Sequence, residues 1–309
     1  MNTRAPFAWI LASFAISTAA AAQSPSESAP NDETVQPKPE LRAKRYPWRY
    51  HRFDWIDFTI TGVSAAGFLA VNFGVDPPRK AKWSSTTSVD DKVRGWLRAD
   101  SRDGRDRADR VSDYLWYTSL ALPWMDLAFP LLGDDGNTDT AWQMTAINFE
   151  AFSVSGFLTR AGHRFVARER PDVAPCEVDA EYNSQCFGGS FASYPSGHTS
   201  TSSVGAGLVC AHHLKQGLVG NEIGDGMVCG LAATAAVGAG VMRIIADRHY
   251  VTDVLSGAAI GFGSGLALPL LRNYRIEEKG SSDTAKVRWT MMPTVQGTDG
   301  LGLAAYGWF

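Results

Sequence analysis

The sequence has no large excess of positive or negative charge. Its 29 Lys and Arg residues against 32 Asp and Glu residues give a formal net charge of −3 over 309 residues. Domains that bind nucleic acid usually carry a strong basic field. This balance therefore argues against a nucleic-acid partner.

Groups spaced as metal ligands are also scarce. The adjacent pair His212-His213 has no cysteine or carboxylate partner at a spacing typical of a zinc site. We expect these two side chains to be structural or solvated. The sequence gives no reason to expect a bound metal.

The N-terminus indicates export. Residues 1–22 have a positive start at Arg4, an apolar run from Phe7 to about Ala19, and three small residues that suit a cleavage site. The run is short for a membrane span. We therefore favour a cleaved signal peptide over an uncleaved anchor, and a periplasmic location.

Only 4 cysteines are present, and export would let them form disulfides. Cys176 and Cys186 lie close together in one polar stretch and could close a small loop. Cys210 and Cys229 fall in successive apolar segments and could cross-link them. Four buried free thiols are the alternative. We expect at least the bridge Cys176–Cys186.

Composition divides the mature chain into three parts. Residues 23–47, rich in Pro, Ser, Glu and Lys, read as a disordered linker. Residues 48–275 read as one all-α domain, a six-helix bundle, because its six apolar segments exceed strand length and are dominated by Gly, Ala and Leu. These segments run approximately over 55–75, 112–132, 140–166, 198–219, 227–246 and 250–272. The tail, 276–309, holds two extended runs, Val287–Val295 and Leu301–Phe309, that predict a hairpin.

The sequence alone does not decide between a soluble bundle and an integral membrane protein. Several segments approach the length of a span, but polar residues such as Asp57, Asp126 and Glu150 interrupt them. A cleaved signal peptide followed by six spans would also leave the Cys176–Cys186 loop in the reducing cytoplasm. We therefore favour a soluble or peripherally attached periplasmic bundle. The charged stretch from Asp90 to Arg110 is predicted to be a solvated helix or loop and not a binding site.

Three short motifs carry the chemistry. They are residues 168–171 (Arg-Glu-Arg-Pro), residues 194–198 (Tyr-Pro-Ser-Gly-His), and Arg243 followed by His249 and Asp253. On a helix, His249 and Asp253 would share a face, so Asp253 could hold one imidazole nitrogen and leave the other free as a nucleophile.

The second motif stands just before an apolar helix. Ser196 could cap that helix, Gly197 would let an anion approach the backbone, and His198 would be placed as a general acid. Arg170 and Arg243 offer forked donors that match phosphate oxygens. Positioning and charge stabilisation are what phosphoryl transfer chiefly needs.

In these motifs the chain resembles the type 2 phosphatidic acid phosphatase superfamily, which includes class A acid phosphatases and vanadium haloperoxidases. The family pattern is a Lys, six residues, Arg-Pro; then Pro-Ser-Gly-His; then Ser-Arg, five residues, His, three residues, Asp. The resemblance implies that His249 attacks phosphorus to form a phosphohistidine, that Asp253 orients it and that His198 protonates the leaving group. It assigns the phosphate oxygens to Arg170, Arg243, Ser196 and Gly197.

Two positions depart from the family pattern. His163 stands where the family has Lys, and Met242 stands where it has Ser. Either His163 works protonated, or Arg160 or Arg164 replaces the missing cation. If His163 works protonated, activity should fall above its titration range.

The expected protein is thus a metal-independent phosphatase without a cofactor, acting on a phosphorylated lipid, a lipid diphosphate or a small phosphomonoester, with a membrane surface as a further partner. A vanadate-dependent haloperoxidase and a non-catalytic envelope protein are the alternatives. In the haloperoxidase alternative, vanadate would be the cofactor.

Overall fold

The computed structural model describes residues 46–133, 136–186 and 191–276, and the backbone of residues 288–296 and 300–308. The predicted signal peptide and nearly all of the predicted linker lie outside these residues, as do residues 297–299 of the predicted turn.

The described domain is built from helices. The long ones are α1 (Trp55–Gly74), α3 (Arg102–Met125), α5 (Thr138–Phe165), α7 (Gly197–Gln216), α8 (Glu222–Ile245) and α9 (Val251–Phe262), which continues through a π-helical segment (Gly263–Ala267) into α10 (Leu268–Arg272). The short ones are α2 (Ser88–Leu97), α4 (Ala128–Leu132) and α6 (Val173–Val178). The α-helical class agrees with the prediction, but the count of six was too low.

Polar residues fix where the helices begin. Asp54 accepts hydrogen bonds from the amides of Ile56 and Asp57, and the Asp57 carboxylate accepts one from the Asp54 amide, which is a capping box. The hydroxyl of Ser101 caps α3 through the amide of Gly104. Helix α3 therefore begins about ten residues before the predicted apolar segment.

Helix α7 is the centre of the bundle. It packs against α3, α5, α8 and α9, and nearly all of its residues from Thr199 to His213 are buried. Small residues make this possible. A Cβ on Gly205 would lie 1.8 Å from the carbonyl oxygen of Ser119 in α3, and one on Gly261 would lie 2.3 Å from the carbonyl oxygen of Ser200. The backbones of α3, α7 and α9 therefore meet without side chains between them.

The prediction that residues 90–110 are merely solvated was wrong. Asp90, Arg105 and Asp109 are all buried. Asp90 pairs with Arg168 at 2.7 Å, and Arg105 donates to the backbone oxygen of Tyr182 at 2.7 Å. Alternating charges look solvated in the sequence, but buried charges persist where each has a partner.

Two disulfides link the chain. Cys176 is joined to Cys186 and Cys210 to Cys229. The first closes the segment that follows α6, and the second ties α7 to α8.

Three helices are long and apolar enough to cross a membrane. They are Trp55–Gly74, Glu222–Ile245 and the continuous helix Val251–Arg272. Large apolar side chains on them face outward, including Phe73 (79% exposed), Leu231 (71%) and Leu271 (73%). Such faces are stable against lipid and unfavourable in water, so the molecule is suited to membrane association.

The tail contains two antiparallel strands, β1 (Arg288–Gln296) and β2 (Gly300–Trp308). Their register pairs Arg288 with Trp308 and Gln296 with Gly300. The predicted extended runs differ from these strands by one residue at each end.

The contact between α3 and α7 can be tested with two glycines. Gly205→Ala should lower the free energy of unfolding by about 1–3 kcal/mol or more, because overpacking at a backbone contact forces the helices apart. Gly230→Ala in α8, where an added Cβ meets nothing within 4 Å, should instead stabilise by about 0.5–1 kcal/mol. Thermal unfolding of the two variants checks this. Equal melting temperatures would contradict the close approach.

Candidate active site

The three motifs meet at one end of the bundle. Residues 168–171 follow the end of α5, residues 194–198 lead into α7, Arg243 lies in the last turn of α8, and His249 and Asp253 flank the start of α9. Backbone hydrogen bonds hold these segments together. The amide of Ser193 donates to Arg168 O, and that of Ser196 donates to Asp253 O, both at 3.0 Å.

His249 is buried, with 3% of its surface exposed. Its Nδ1 lies 2.8 Å from the carbonyl oxygen of Ser193. A carbonyl can only accept, so Nδ1 carries the proton and Nε2 is left with its lone pair. No described residue hydrogen-bonds to Nε2. This is the tautomer that a nitrogen nucleophile needs.

The sequence predicted that Asp253 holds the His249 imidazole directly, but in the structure it does not. His249 lies before α9 begins, so the two residues do not share a helical face, and the Asp253 Oδ2 atom is 3.9 Å from Nδ1. That Oδ2 instead accepts from the Ser193 hydroxyl at 2.6 Å and from the Tyr250 amide at 3.0 Å. Asp253 therefore acts on His249 through Ser193, whose carbonyl receives the imidazole proton.

Arg168 supports this arrangement, and sequence reasoning missed it. Its guanidinium is fully buried, donates to Asp253 Oδ1 at 2.6 Å and pairs with Asp90 at 2.7 Å. The Trp83 and Tyr250 rings lie within 4.0 and 4.3 Å of it. Its place in the Arg-Glu-Arg-Pro motif was a signal in the sequence, but the prediction assigned a role only to Arg170 of that motif.

His198 has a partner that was also missed. Its Nε2 lies 2.8 Å from the carboxylate of Asp113 in α3, so Nε2 donates to that carboxylate and Nδ1 faces elsewhere. The predicted apolar segment began at residue 112, but α3 begins at Arg102, so Asp113 lies within that helix. Burial and the nearby charge of Arg243 lower the pKa of His198 to about 3, while the Asp113 carboxylate favours the protonated form.

Ser196 and Gly197 begin α7, although not through the predicted cap. Ser196 occupies the N-cap position, yet its hydroxyl accepts no hydrogen bond from a backbone amide. It accepts one from the Thr199 hydroxyl at 2.9 Å instead. No described residue accepts from the buried Ser196 hydroxyl, so its proton remains available to a ligand.

Arg170 and Arg243 supply positive charge around His249. The Arg170 side chain is half-buried and forms no hydrogen bond or ion pair with any described residue, while Arg243 pairs with Asp109. Burial, followed by Arg248 and Arg243, lowers the pKa of Arg170 to about 9, so it is still charged at neutral pH. Burial, followed by the charges of Arg170 and Arg243, also holds the pKa of His249 well below its usual value. The imidazole is therefore neutral at neutral pH.

His163 does not work as a protonated substitute for the missing lysine in the free protein. Its Nε2 donates to the carbonyl oxygen of Pro195 at 2.9 Å. Burial, followed by the charges of Arg160, Arg170 and Arg164, lowers the pKa of His163 to about 4. It is a neutral residue that positions the loop before α7.

Two cavities border the site. The larger, of about 530 Å³, is lined by Arg160, His163, Arg164, Arg170 and Arg248 together with the Cys176–Cys186 disulfide. The smaller, of about 350 Å³, is lined by His198, Gly197, Arg160 and the rings of Phe68 and Trp116. The site thus has a basic side and a partly aromatic side.

The fold and the site define a helical protein with a buried, neutral histidine beside an arginine-rich pocket. Residues 146–277 match the family model of the PAP2 superfamily. The chain is also 29% identical over 177 residues to a lipid A 1-phosphatase of Porphyromonas gingivalis, a match that covers 57% of this chain and 33% of the relative. The chain thus matches about a third of that relative's length. No solved structure matches it.

The neutral state of His249 gives a pH prediction. Because its pKa is lowered well below 6.5, His249 should keep an unprotonated Nε2 at pH 6.5, where an ordinary imidazole is half protonated. Nitrogen NMR of histidine-labelled protein measures this, with the His249→Ala spectrum identifying the signal. A titration midpoint between pH 6 and 7 would contradict the environment described.

The Ser193 relay gives a second prediction. Ser193→Ala keeps the carbonyl that accepts from His249 but loses the hydroxyl bound to Asp253, so kcat should fall roughly 10-fold with little change in KM. Asp253→Asn also weakens a buried ion pair and should lower kcat by a further factor of roughly 10 or more, together with the melting temperature. Ser193→Thr is the matched control, since it keeps the hydroxyl. Full activity in Ser193→Ala would show that Asp253 acts without Ser193.

Proposed function

We propose that this chain is a metal-independent lipid phosphate phosphatase that works through a phosphohistidine intermediate. The observation that carries the proposal is His249, whose Nδ1 proton is held by the Ser193 carbonyl while its free Nε2 lies among Arg170, Arg243 and His198. The match of residues 146–277 to the PAP2 family model and the similarity to a lipid A 1-phosphatase support the same class of reaction.

In the first step, the Nε2 lone pair of His249 bonds to phosphorus as the bond from phosphorus to the leaving oxygen breaks. The leaving oxygen takes the Nδ1 proton of the His198 imidazolium and departs as an alcohol. The Asp113 carboxylate stabilises that imidazolium through Nε2. A bound phosphate dianion offsets the arginine charges that otherwise disfavour protonation of His198.

In the second step, neutral His198 takes a proton from water as the water oxygen bonds to phosphorus. The bond from phosphorus to Nε2 breaks, its electron pair returns to His249, and phosphate leaves. Arg170, Arg243 and the Ser196 hydroxyl hold the equatorial oxygens throughout. The arginines supply the charge stabilisation that a metal ion provides in other phosphatases.

The smaller cavity favours a lipid as the leaving group. It opens beside His198, which must lie next to the leaving oxygen, and the Phe68 and Trp116 side chains form part of its wall. Helix α1, which contributes Phe68, is one of the three helices long and apolar enough to cross a membrane. An acyl or prenyl chain could reach His198 from lipid along these faces.

Export to the periplasm is part of the proposal. Two disulfides in the described residues are typical of proteins that fold in an oxidising compartment. The predicted signal peptide agrees with this location.

Trapping the intermediate tests the mechanism. The purified protein, in chelator, should form an acid-labile, alkali-stable phosphoenzyme within one turnover of labelled phosphatidate, and His249→Ala should form none. His198→Ala should lose roughly 10²–10⁴-fold in rate on phosphatidate but much less on a nitrophenyl phosphate, whose leaving group needs no proton.

Vanadate should inhibit the release of phosphate. Activity lost in chelator and restored by a divalent cation would overturn metal independence, and steady phosphate release without phosphoenzyme would overturn the covalent step. Bromide oxidation with vanadate and peroxide, without phosphatase activity, would instead identify a haloperoxidase.

A further inference from the structure

The larger cavity beside the site is lined by more guanidinium groups than the proposed mechanism uses. Four guanidinium groups line it, from Arg160, Arg164, Arg170 and Arg248. The lining carboxylates are Asp172 and the exposed Glu177. Asp172 is already taken, because Arg248 donates to it at 2.7 Å.

Arg160 has no polar partner within the described part of the chain. Its guanidinium forms no hydrogen bond or ion pair there, and its ring contact is Phe68, with the centroid 5.9 Å from the guanidinium carbon. An uncompensated guanidinium at a half-buried position is unfavourable unless an anion binds to it.

Arg164 is almost as poorly matched. It lies one helical turn after Arg160 on α5, and the two therefore face the same way. Its terminal nitrogen donates to the backbone oxygen of Asn72 at 3.2 Å, and its Nε atom is buried with no partner. The two like charges repel, and this repulsion helps to lower the pKa of Arg160.

Neither arginine is needed to hold the phosphate that His249 attacks. The charges of Arg170 and Arg243 act on His249, whereas Arg160 and Arg164, together with Arg170, act on His163. His163 lines both cavities together with Arg160 and donates to the Pro195 carbonyl. Arg160 and Arg164 lie on α5, whereas Arg170 follows that helix and Arg243 lies in α8, so the two pairs of cations come from different parts of the fold.

We propose that Arg160 and Arg164 form a second anion subsite, which binds a further phosphate-type group of the substrate. The preferred substrates then carry two such groups, either as a diphosphate or as two separate phosphate esters. Arg160 lines both cavities, so the subsite lies between the attacked phosphate and the side where His198 meets the leaving group. The inference rests on the phosphatase function proposed above.

Kinetics with Arg160→Gln test the subsite. The wild-type protein should have a higher kcat/KM for a polyprenyl diphosphate than for the matching polyprenyl monophosphate. A glycolipid with two phosphate monoesters and phosphatidate complete the panel and distinguish adjacent from separated groups. Arg160→Gln should lower kcat/KM on the preferred two-phosphate substrate on the order of 10-fold or more, mostly through KM. It should change the monophosphate rates less than about 3-fold.

Arg160→Lys should recover part of the loss, and Arg110→Gln, at an exposed position in α3, is the control for removing one positive charge. Melting temperatures establish that each variant is folded. An equal loss on one- and two-phosphate substrates would place Arg160 at the attacked phosphate and overturn the subsite. No preference by the wild-type protein, or no loss in the variant, would also overturn it.

A binding measurement separates failure of the subsite from failure of the proposed function. By calorimetry, the wild-type protein should bind methylenediphosphonate on the order of 10-fold more tightly than methylphosphonate, and Arg160→Gln should remove that difference. This result is independent of turnover. Equal affinities, together with an unchanged kcat/KM of Arg160→Gln on the glycolipid with two phosphate monoesters, would reject the subsite even if the enzyme is active. A clear difference without phosphatase activity would reject only the reaction.

Discussion

The site depends on a buried guanidinium held between two carboxylates. Arg168 joins Asp90 of α2 to Asp253 of α9, and Asp253 in turn fixes Ser193, whose carbonyl sets the tautomer of His249. Burying an unpaired charge is unfavourable, and this one is tolerated because α2 and α9 each contribute a carboxylate partner. The short helix α2, which packs against α8 and α9, thereby acts on the position of His249.

Close helix packing gives this network its rigidity. Where Gly205 and Gly261 bring backbones into contact, no side chain can reorient to absorb a displacement. The loop before α7 is then held at both ends, through backbone hydrogen bonds to Arg168 and Asp253. A histidine that must offer one nitrogen in a fixed direction benefits from such surroundings, because catalytic rates are sensitive to small displacements.

The sequence predicted the helical class and the residues that gather at the site, because both are written in local patterns. Six apolar segments predicted the long helices, and three motifs at helix ends indicated the pocket. The relay through Ser193, the Asp113 partner of His198 and the buried role of Arg168 could not be read this way. Each depends on a contact between residues 56 to 85 positions apart, and alternating charges around Asp90 resemble a solvated surface until a fold pairs them.

The neutral state of His163 was hidden for a different reason. Its pKa depends on burial and on three arginines, two of them neighbours on α5 and the third beyond the helix end. Residue identity gave the position of the family lysine but not the electrostatic field there. Arg160 and Arg164 contribute to that field, and neither forms an ion pair with a carboxylate among the described residues.

The atom that fixes the tautomer of His249 belongs to the main chain. Every residue type at position 193 supplies a carbonyl, so no point mutation can delete this acceptor outright. Substitutions at position 193 can alter this acceptor only indirectly, by changing how firmly the loop is held. For an evolving or engineered lineage, the tautomer of His249 is inherited with the path of the backbone, while the side chains around it change with the sequence.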